Sequence, residues 1–511
     1  MSDPVGPSTH PSTPAPSGGS GPRVLLVDPY VAREDPMERK FVELYPSLSL
    51  LTLAAYLREQ GINVAITDLT FARSASAVSR AMRSFRPEIV GVHTKSLTFP
   101  RAVEVAALAR EHGAFVVAGG PDSATRPEVY LEGGFDAVVL GEGELTLTSL
   151  AHKLRGGRPL QGEAGVVTRV GGRVVRGPPR PYLTDLDELP LPAWELIDME
   201  GYLKEWEKRT GERRAAVLTS RGCPYDCSWC SKPTFGRGFR QQSPERVLEE
   251  LTALHRRYRV DYVRFCDDVF GLQRKWLETL LDGMLSRRLS LQFECLARVD
   301  LLKSDLLARM RQAGLARVYL GVESGSQKML DLMNRGTRLT QVERVASELR
   351  AAGVRQFWFL MLGYPGETLE DIESTLKLFR RFSPEEYSVS IAVPIPGTRF
   401  YDSVKARLRG AGRARGHIGG NTLLYEAAYP EAMYRWQQVR FAWDAQLRRL
   451  RGRLSPRALR QLTKVVDEFH DRVATPLLLG QGRSPPTGRP PVPPAPLPTI
   501  AGPRPPGRGT L

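Results

Sequence analysis

The sequence predicts two α/β domains in tandem, a doubly wound parallel sheet and then a parallel α/β barrel, with a helical region after them. Apolar runs of strand length alternate with amphipathic helical segments twice, over 22–155 and again from Ala215. Glycines and polar residues gather just after these runs, where parallel sheets and barrels hold ligands. At 511 residues the chain has room for two or three domains.

Residues 1–21 are Pro, Ser and Gly with almost no apolar content and are expected to be disordered. Arg23–Asp28 reads as a buried strand, Leu48–Arg58 as a helix stopped by Gly61, and Asn63–Thr67 as the next strand. Further strands are expected at Glu88–His93, Ala114–Gly119 and Asp136–Leu140. The Arg101–Glu111 segment has helical spacing, and Glu144 opens another helix. At the strand ends, Gly119, Gly120 and Gly141 permit close approach of backbone to a large ligand. Thr94, Ser96 and Thr125 offer hydroxyl donors, and Glu142 lies in the last of these loops. Residues 156–213 read as a connector, with a hairpin turning at Gly171-Gly172 and Trp194 as core between domains.

The barrel is expected over 214–400, with strands at Ala215–Ser220, Asp261–Cys266, Leu291–Leu296, Arg317–Gly321, Gln356–Leu362 and Glu386–Val393. The loop after the first carries Cys223, Cys227 and Cys230, three of the five cysteines, ahead of a Ser243–Tyr258 helix. These spacings let three thiolates converge on one metal centre and leave a coordination position open. A structural zinc site closes with four ligands, usually as two spaced pairs. Cys266 and Cys295 sit alone in apolar runs and are expected to be buried packing residues. Disulfides are not expected in a long chain with an odd cysteine count and no signal peptide. An iron–sulfur cluster with an open iron is the best reading. Residues 401–475 are expected to form a helical cap, with Tyr434, Trp436, Phe441 and Trp443 as packing residues. The Pro-rich 476–511 tail should be a flexible coil.

Seventy-two Lys and Arg against 56 Asp and Glu give a net charge of +16. The excess is Arg-rich and late, at Arg407, Arg409, Arg413 and Arg415 and again at Arg448, Arg449, Arg451 and Arg453. Solvated helix faces explain such clusters more simply than a nucleic-acid groove, and no aromatic RNA-binding signature accompanies them. Nucleic acid is therefore not the expected partner; anionic small molecules and lipid surfaces are equally compatible. No apolar stretch is long enough to span a membrane, so a soluble, cytoplasmic protein is expected.

The CxxxCxxC motif, with Trp229 before its last cysteine, resembles the signature of the radical S-adenosylmethionine (SAM) superfamily. The resemblance implies a [4Fe-4S] cluster on Cys223, Cys227 and Cys230, SAM on its fourth iron, and Trp229 near the cofactor. It also implies a six-stranded partial barrel in which Arg298, Glu323 and Ser324 form part of the SAM shell. The Gly363–Gly366 turn would approach the adenine. Asp267 and Asp268, the candidate catalytic pair, stand where relatives contact the SAM amino group or the substrate; capping of the next helix is the plainer role for one of them. The GGP…ATRPE and LGEGE strings resemble the cobalamin-binding domain of cobalamin-dependent radical SAM enzymes. The DxHxxG motif of other cobalamin domains is missing, because Asp28–Asp35 holds no histidine. A lower histidine ligand to cobalt is thus not expected. His93 is the one exception to weigh, although a strand-end histidine is more often bonded within its turn.

The DD and GVESGS strings resemble the branch with the anaerobic magnesium-protoporphyrin monomethyl ester cyclase and several carbon methyltransferases. The implied function is methylation of an unactivated carbon of a small molecule through a 5′-deoxyadenosyl radical and methylcobalamin. A flavodoxin or ferredoxin would supply electrons. The alternatives are a radical cyclase, oxidoreductase or rearrangement enzyme without methyl transfer, and, from the charge alone, a metal-stabilised RNA-binding protein.

Overall fold

The computed structural model describes residues 21–35, 44–72, 76–231, 234–409, 422–450 and 454–480. The expectations of disorder at 1–20 and 481–511 lie outside the described residues, as do Arg413, Arg415, Arg451 and Arg453.

The first sheet holds β1 (Arg23–Asp28), β2 (Asn63–Asp68), β3 (Ile89–His93), β4 (Phe115–Gly119), β5 (Ala137–Val139), β6 (Val166–Val170) and β7 (Arg173–Arg176). Its order is β2-β1-β3-β4-β5-β6-β7. The first five strands pair in parallel. Their apolar runs are continuous because both faces are covered. Leu25, Val27, Val90 and Val116 enter one core, and Val24, Leu26, Ile89 and Val117 the other. From β1 the chain runs to β2 on one side and β3 on the other, so a crevice opens at their carboxyl ends, beside Asp28 and His93.

The expected hairpin turns where predicted, at Gly171 (φ +54°) and Gly172 (φ +79°). It is not part of a connector, however: β6 pairs antiparallel with β5 and extends the first sheet. Trp194 is buried against the barrel core, as expected of an interdomain residue.

The second sheet holds β8 (Arg214–Val217), β11 (Tyr262–Phe265), β12 (Gln292–Ala297), β13 (Leu315–Glu323), β14 (Arg355–Leu362) and β15 (Glu386–Ile391). All neighbours are parallel, in the order β15-β14-β13-β12-β11-β8. The helix Pro244–Tyr258 between β8 and β11 starts at a proline, and the Ser243 hydroxyl accepts from Arg246 N at 3.2 Å. The first barrel strand is shorter than expected. Asp267 Oδ1 accepts bonds from the amide and hydroxyl of Thr219 and from the Ser220 hydroxyl, turning the chain out of the sheet after Val217. Ser220–Arg221 (β9) instead pairs antiparallel with Arg240–Gln241 (β10).

The cap helix Glu431–Arg449 buries Tyr434 and Phe441, while Trp443 is exposed. The coil expected from 476 gives way to helix: Pro456–Phe469 continues through a π turn, His470–Ala474, into Thr475–Gly480, and the π turn lies just ahead of Pro476, which has no N–H for the i→i−4 ladder. Among the described residues no helix is long and apolar enough to cross a membrane.

Glu250, in the Pro244–Tyr258 helix, is buried, and its Oε1 has no hydrogen-bond partner among the described residues. Burial pushes its carboxyl up to about 8. A carboxyl raised in the fold contributes fully below the unfolded value of about 4.3, and that contribution is lost as pH rises through about 8. Glu250→Gln should match the parent at pH 5 and exceed it by about 2 kcal/mol or more at pH 9. Parallel pH–stability profiles for the two proteins would contradict this assignment.

Candidate active site between the barrel mouth and the first sheet

The cysteine loop leaves the sheet through Gly222 (φ +81°), where a Cβ would run into the Gly238 carbonyl. Ser228 anchors it from both sides, donating its amide to Met333 O and accepting from Phe400 N, each at 2.9 Å. Asn334 Nδ2 and an Arg399 nitrogen donate to the Asp226 carbonyl at 2.7 and 2.9 Å. Cys223 and Cys227 are half-buried and Cys230 is exposed.

Guanidinium groups back the loop. Arg335 lies 3.6 Å from Cys227 Sγ, and Arg298 lies 3.9 Å from the same sulfur. Among the described residues no three Cys, His, Asp or Glu side chains are grouped to hold a single metal ion. A four-iron cubane takes each thiolate at a different iron and needs its ligands farther apart. Three cysteines on one open loop, with two cations beside them, fit that larger anionic group.

At the mouth, Glu323 has φ +63°, a backbone conformation rare for a residue with a Cβ, at the register shift that ends β13. Burial pushes its carboxyl up and Arg335 opposes the shift. Arg298 stacks its guanidinium 3.6 Å from the Tyr225 ring centroid and donates to Asp300 and to the Arg335 carbonyl. Trp229 packs on the barrel core with Arg335 5.9 Å from its ring.

Several expected positions turn out to serve the fold. Asp267 is buried as the brace already described, so it is not an open catalytic carboxylate, whereas Asp268 remains exposed at the mouth. Burial pushes the Asp267 carboxyl up to about 6, and bonds from Ser220 and Thr219 oppose that. Ser324 is fully buried, with its hydroxyl bonded to Thr375 Oγ1 and Ser326 N. Gly363 donates to Glu367 Oε2 at 2.6 Å and accepts from the Tyr425 hydroxyl, while Tyr434 covers its Cα. The cap thus packs on Gly363, while Gly366 (φ +87°) stays half-buried nearby. Cys295 is buried as expected, but Cys266 is exposed, because it falls on the inward face of the barrel wall.

Across the cleft, a cavity of about 290 Å³ lies at the carboxyl ends of the first sheet. Leu48, His93, Gly119, Gly120, Gly141 and Phe235 are among its lining residues. A Cβ at Gly119 would meet nothing within 4 Å, so this glycine opens the floor. Gly120 (φ +124°) is instead held tight, since a Cβ there would lie 2.7 Å from Thr94 O. Gly120→Ala should distort this floor and weaken cobalamin binding by about tenfold or more, measured by titration of cob(III)alamin; unchanged affinity would place the ligand elsewhere.

The expected hydroxyl donors are already engaged. Thr94 donates to Ser123 or the Gly119 carbonyl, Ser96 to Asp122 Oδ1 at 2.9 Å, and Thr125 to the Asp122 carbonyl at 2.8 Å. Glu142 is likewise saturated: its Oε1 pairs with Arg221 (3.0 Å) and Arg240 (2.7 Å), and Oε2 accepts from Leu183 N. It ties the end of the first sheet to Arg221 and Arg240 while also lining the cavity. His93 Nδ1 lies 3.3 Å from Ser47 Oγ and 3.8 Å from Asp28 Oδ2, partners on other segments instead of within its own turn, and it lines the cavity.

A second cavity, of about 470 Å³, lies between Thr125 of the first domain and Cys230 of the loop. The two cavities share no lining residue, but each is lined from both domains: Thr125 and Cys230 in this one, Gly119 and Arg221 in the glycine-floored one. Sequence reasoning missed Arg221 and Arg335, because neither stands in a spacing pattern; only the Asn334-Arg335-Gly336 turn hinted at the second.

The profile of the Radical SAM superfamily matches residues 217–379, and that of the B12 binding domain matches 38–151. An uncharacterized methyltransferase of Pyrococcus horikoshii is 33% identical over 389 residues, 74% of this chain and 82% of that protein. The anaerobic magnesium-protoporphyrin IX monomethyl ester cyclase of Rubrivivax gelatinosus is 28% identical, over 69% of this chain and 65% of its own. Among solved structures, the radical S-adenosylmethionine methyltransferase TsrM of Kitasatospora setae, with cobalamin and a [4Fe-4S] cluster bound, superposes with a TM-score of 0.64. That match has 21% identity and covers 76% of this chain and 75% of the other, a likeness of fold.

Proposed function

The chain belongs to the radical SAM superfamily, in the group that carries a B12-binding domain ahead of the barrel, and from that premise we propose that it methylates an unactivated carbon of a small molecule. One observation carries this reading: Cys230 of the cysteine loop lines one cavity with Thr125 of the first domain, and the separate glycine-floored cavity is lined in part by Arg221 and Phe235, on either side of that loop. A substrate between them would meet both cofactors without leaving the site. When bound, the cluster with SAM supplies a carbon-centred radical, and cobalamin supplies a transferable methyl group.

The protein's own part is placement and charge. Cys223, Cys227 and Cys230 would hold the cluster, and the Arg298 and Arg335 guanidiniums would stabilise its thiolates. Glu323, buried beside Arg335, would accept from the SAM ammonium or ribose. Gly119, Gly120 and Gly141 would lie under the cobalamin ring, and Asp268 would meet SAM or substrate at the mouth. Tyr425 and Tyr434 close the cap side against water. A flavodoxin or ferredoxin would deliver the electron.

Methyl-labelled SAM tests the proposal. Reduced protein loaded with cluster and cobalamin should move the label onto cobalamin, resolved by chromatography. The similarity to a cyclase keeps a second reading in view, radical chemistry without methyl transfer. Deoxyadenosine formed with no label ever reaching cobalamin would favour it and reject methylation.

A further inference from the structure

We propose that His93 is the lower axial ligand of the cobalamin cobalt, bound through Nε2, with Asp28 and Ser47 as the residues that position its ring. This rests on the reading of the first domain as a cobalamin site and adds the residue that meets the metal.

The topology puts this histidine where a ligand would sit. The crevice between β1 and β3 opens at the carboxyl ends of those strands, and His93 is the last residue of β3. The loop after β1, Pro29–Asp35, holds no histidine, so that segment offers no imidazole. In the sheet His93 pairs with Gly119, where a Cβ would meet nothing within 4 Å. The imidazole therefore stands beside the open part of the floor, and both residues line the cavity of about 290 Å³.

The two ring nitrogens have different surroundings. Nδ1 lies 3.3 Å from Ser47 Oγ and 3.8 Å from Asp28 Oδ2. Ser47 stands at the N-cap of the Leu48–Glu59 helix, yet its side chain caps nothing there; the hydroxyl meets the histidine instead. Asp28 is 5% exposed, and its Oδ1 accepts from Tyr30 N at 3.1 Å. Burial raises the Asp28 carboxyl, but His93 and Lys95 outweigh it and bring the group below its usual value, so it is a carboxylate. A carboxylate on this side favours the proton on Nδ1 and leaves a lone pair on Nε2. Nε2 makes no hydrogen bond among the described residues. The adjacent ring carbon, Cδ2, lies 3.1 Å from where a Cβ of residue 120 would stand, so Gly120 keeps this edge of the ring clear.

The donor chemistry of the cavity leaves little competition. Of its lining residues only His93 and Arg221 carry side-chain nitrogen. The Arg221 guanidinium is paired with Glu142 and Glu144 and has no lone pair to give. The same pairing holds both of those carboxylates. An imidazole suits a first-row transition metal, and a carboxylate or hydroxyl on its second nitrogen fixes both tautomer and orientation. His93 has both partners in place.

The test uses full-length protein produced with and without histidine labelled with nitrogen-15, reconstituted with its cluster and loaded with cobalamin. The bound cofactor is poised as cob(II)alamin with the cluster left oxidised and diamagnetic, and EPR reads the splitting from the axial nitrogen. Unlabelled protein should show a triplet and labelled protein a doublet, a change that only a histidine nitrogen can cause. His93→Ala should lose every label-dependent splitting. Asp28→Asn and Ser47→Ala should keep the doublet, with an altered nitrogen coupling, and weaken cob(III)alamin binding by about tenfold or more. An unaltered coupling in both would overturn their positioning role. A triplet that labelling leaves unchanged, or no splitting at all, in protein that binds cobalamin would overturn the ligand and leave the cobalamin reading standing. Protein that takes up no cobalamin in the same titration would reject both.

Discussion

Alanine at Cys223, Cys227 or Cys230 will each lower deoxyadenosine formation by about a thousandfold or more, because no radical forms without the cluster. The physical reason is the donor set. Only three thiolates of this chain share a loop, so losing one leaves an iron to be held by water or a weaker ligand. Folding should survive, since these side chains are half-buried or exposed on a loop anchored by backbone bonds at Ser228 and Asp226. Thermal melts of the apo forms should therefore overlay, while iron and sulfide content and the visible absorbance of the reconstituted forms fall together. Cys295→Ala is the matched control, since that thiol lies inside the barrel wall, away from the loop. A loop variant that keeps full iron and parent-level deoxyadenosine would remove that cysteine from the ligand set.

The strands were legible because parallel sheets bury both faces. Arg23–Asp28 is the strand expected, and the barrel strands depart mainly at their ends. Those ends are where side chains override pattern. Nothing in Ala215–Ser220 says that Asp267, far along the chain, will pull Thr219 and Ser220 out of the sheet. The same limit governs the site. Cysteine spacing is local and could be read, whereas the partners of Ser96 and Thr125 could not: both hydroxyls are taken by Asp122, which also holds Arg126 and Tyr130. Cys266 shows a subtler case. Alternation gave it a face, but only the closed curvature of the sheet makes that face an open lumen. Arg335 reaches Cys227 from a turn and Arg221 ties the loop to the other domain, so no periodicity could mark them.

Arg221→Met is expected to produce the largest loss outside the cysteines, and it tests whether the two domains must be locked together. Arg221 is buried two residues before Cys223 and reaches back to the first domain, with Glu142 at 3.0 Å and Glu144 at 2.6 Å. Its guanidinium also lies 5.2 Å from the Phe235 ring, which lines the crevice. Removing it leaves the Glu144 carboxylate, buried, without its guanidinium, a change that costs about 3–5 kcal/mol when a buried pair is broken. Chemical denaturation should show that loss, and cobalamin affinity should fall by about tenfold or more as Gly141 and Phe235 lose their alignment. Glu144→Gln in the same chain should restore part of the stability, because Glu142 keeps Arg240 at 2.7 Å and the remaining orphan charge is gone. The double variant separates charge from shape: stability returning without cobalamin affinity would mean that the salt bridges position the crevice as well as hold it. If Arg221→Met alone leaves both stability and affinity intact, the domains are held by apolar contacts and this ion pair is dispensable.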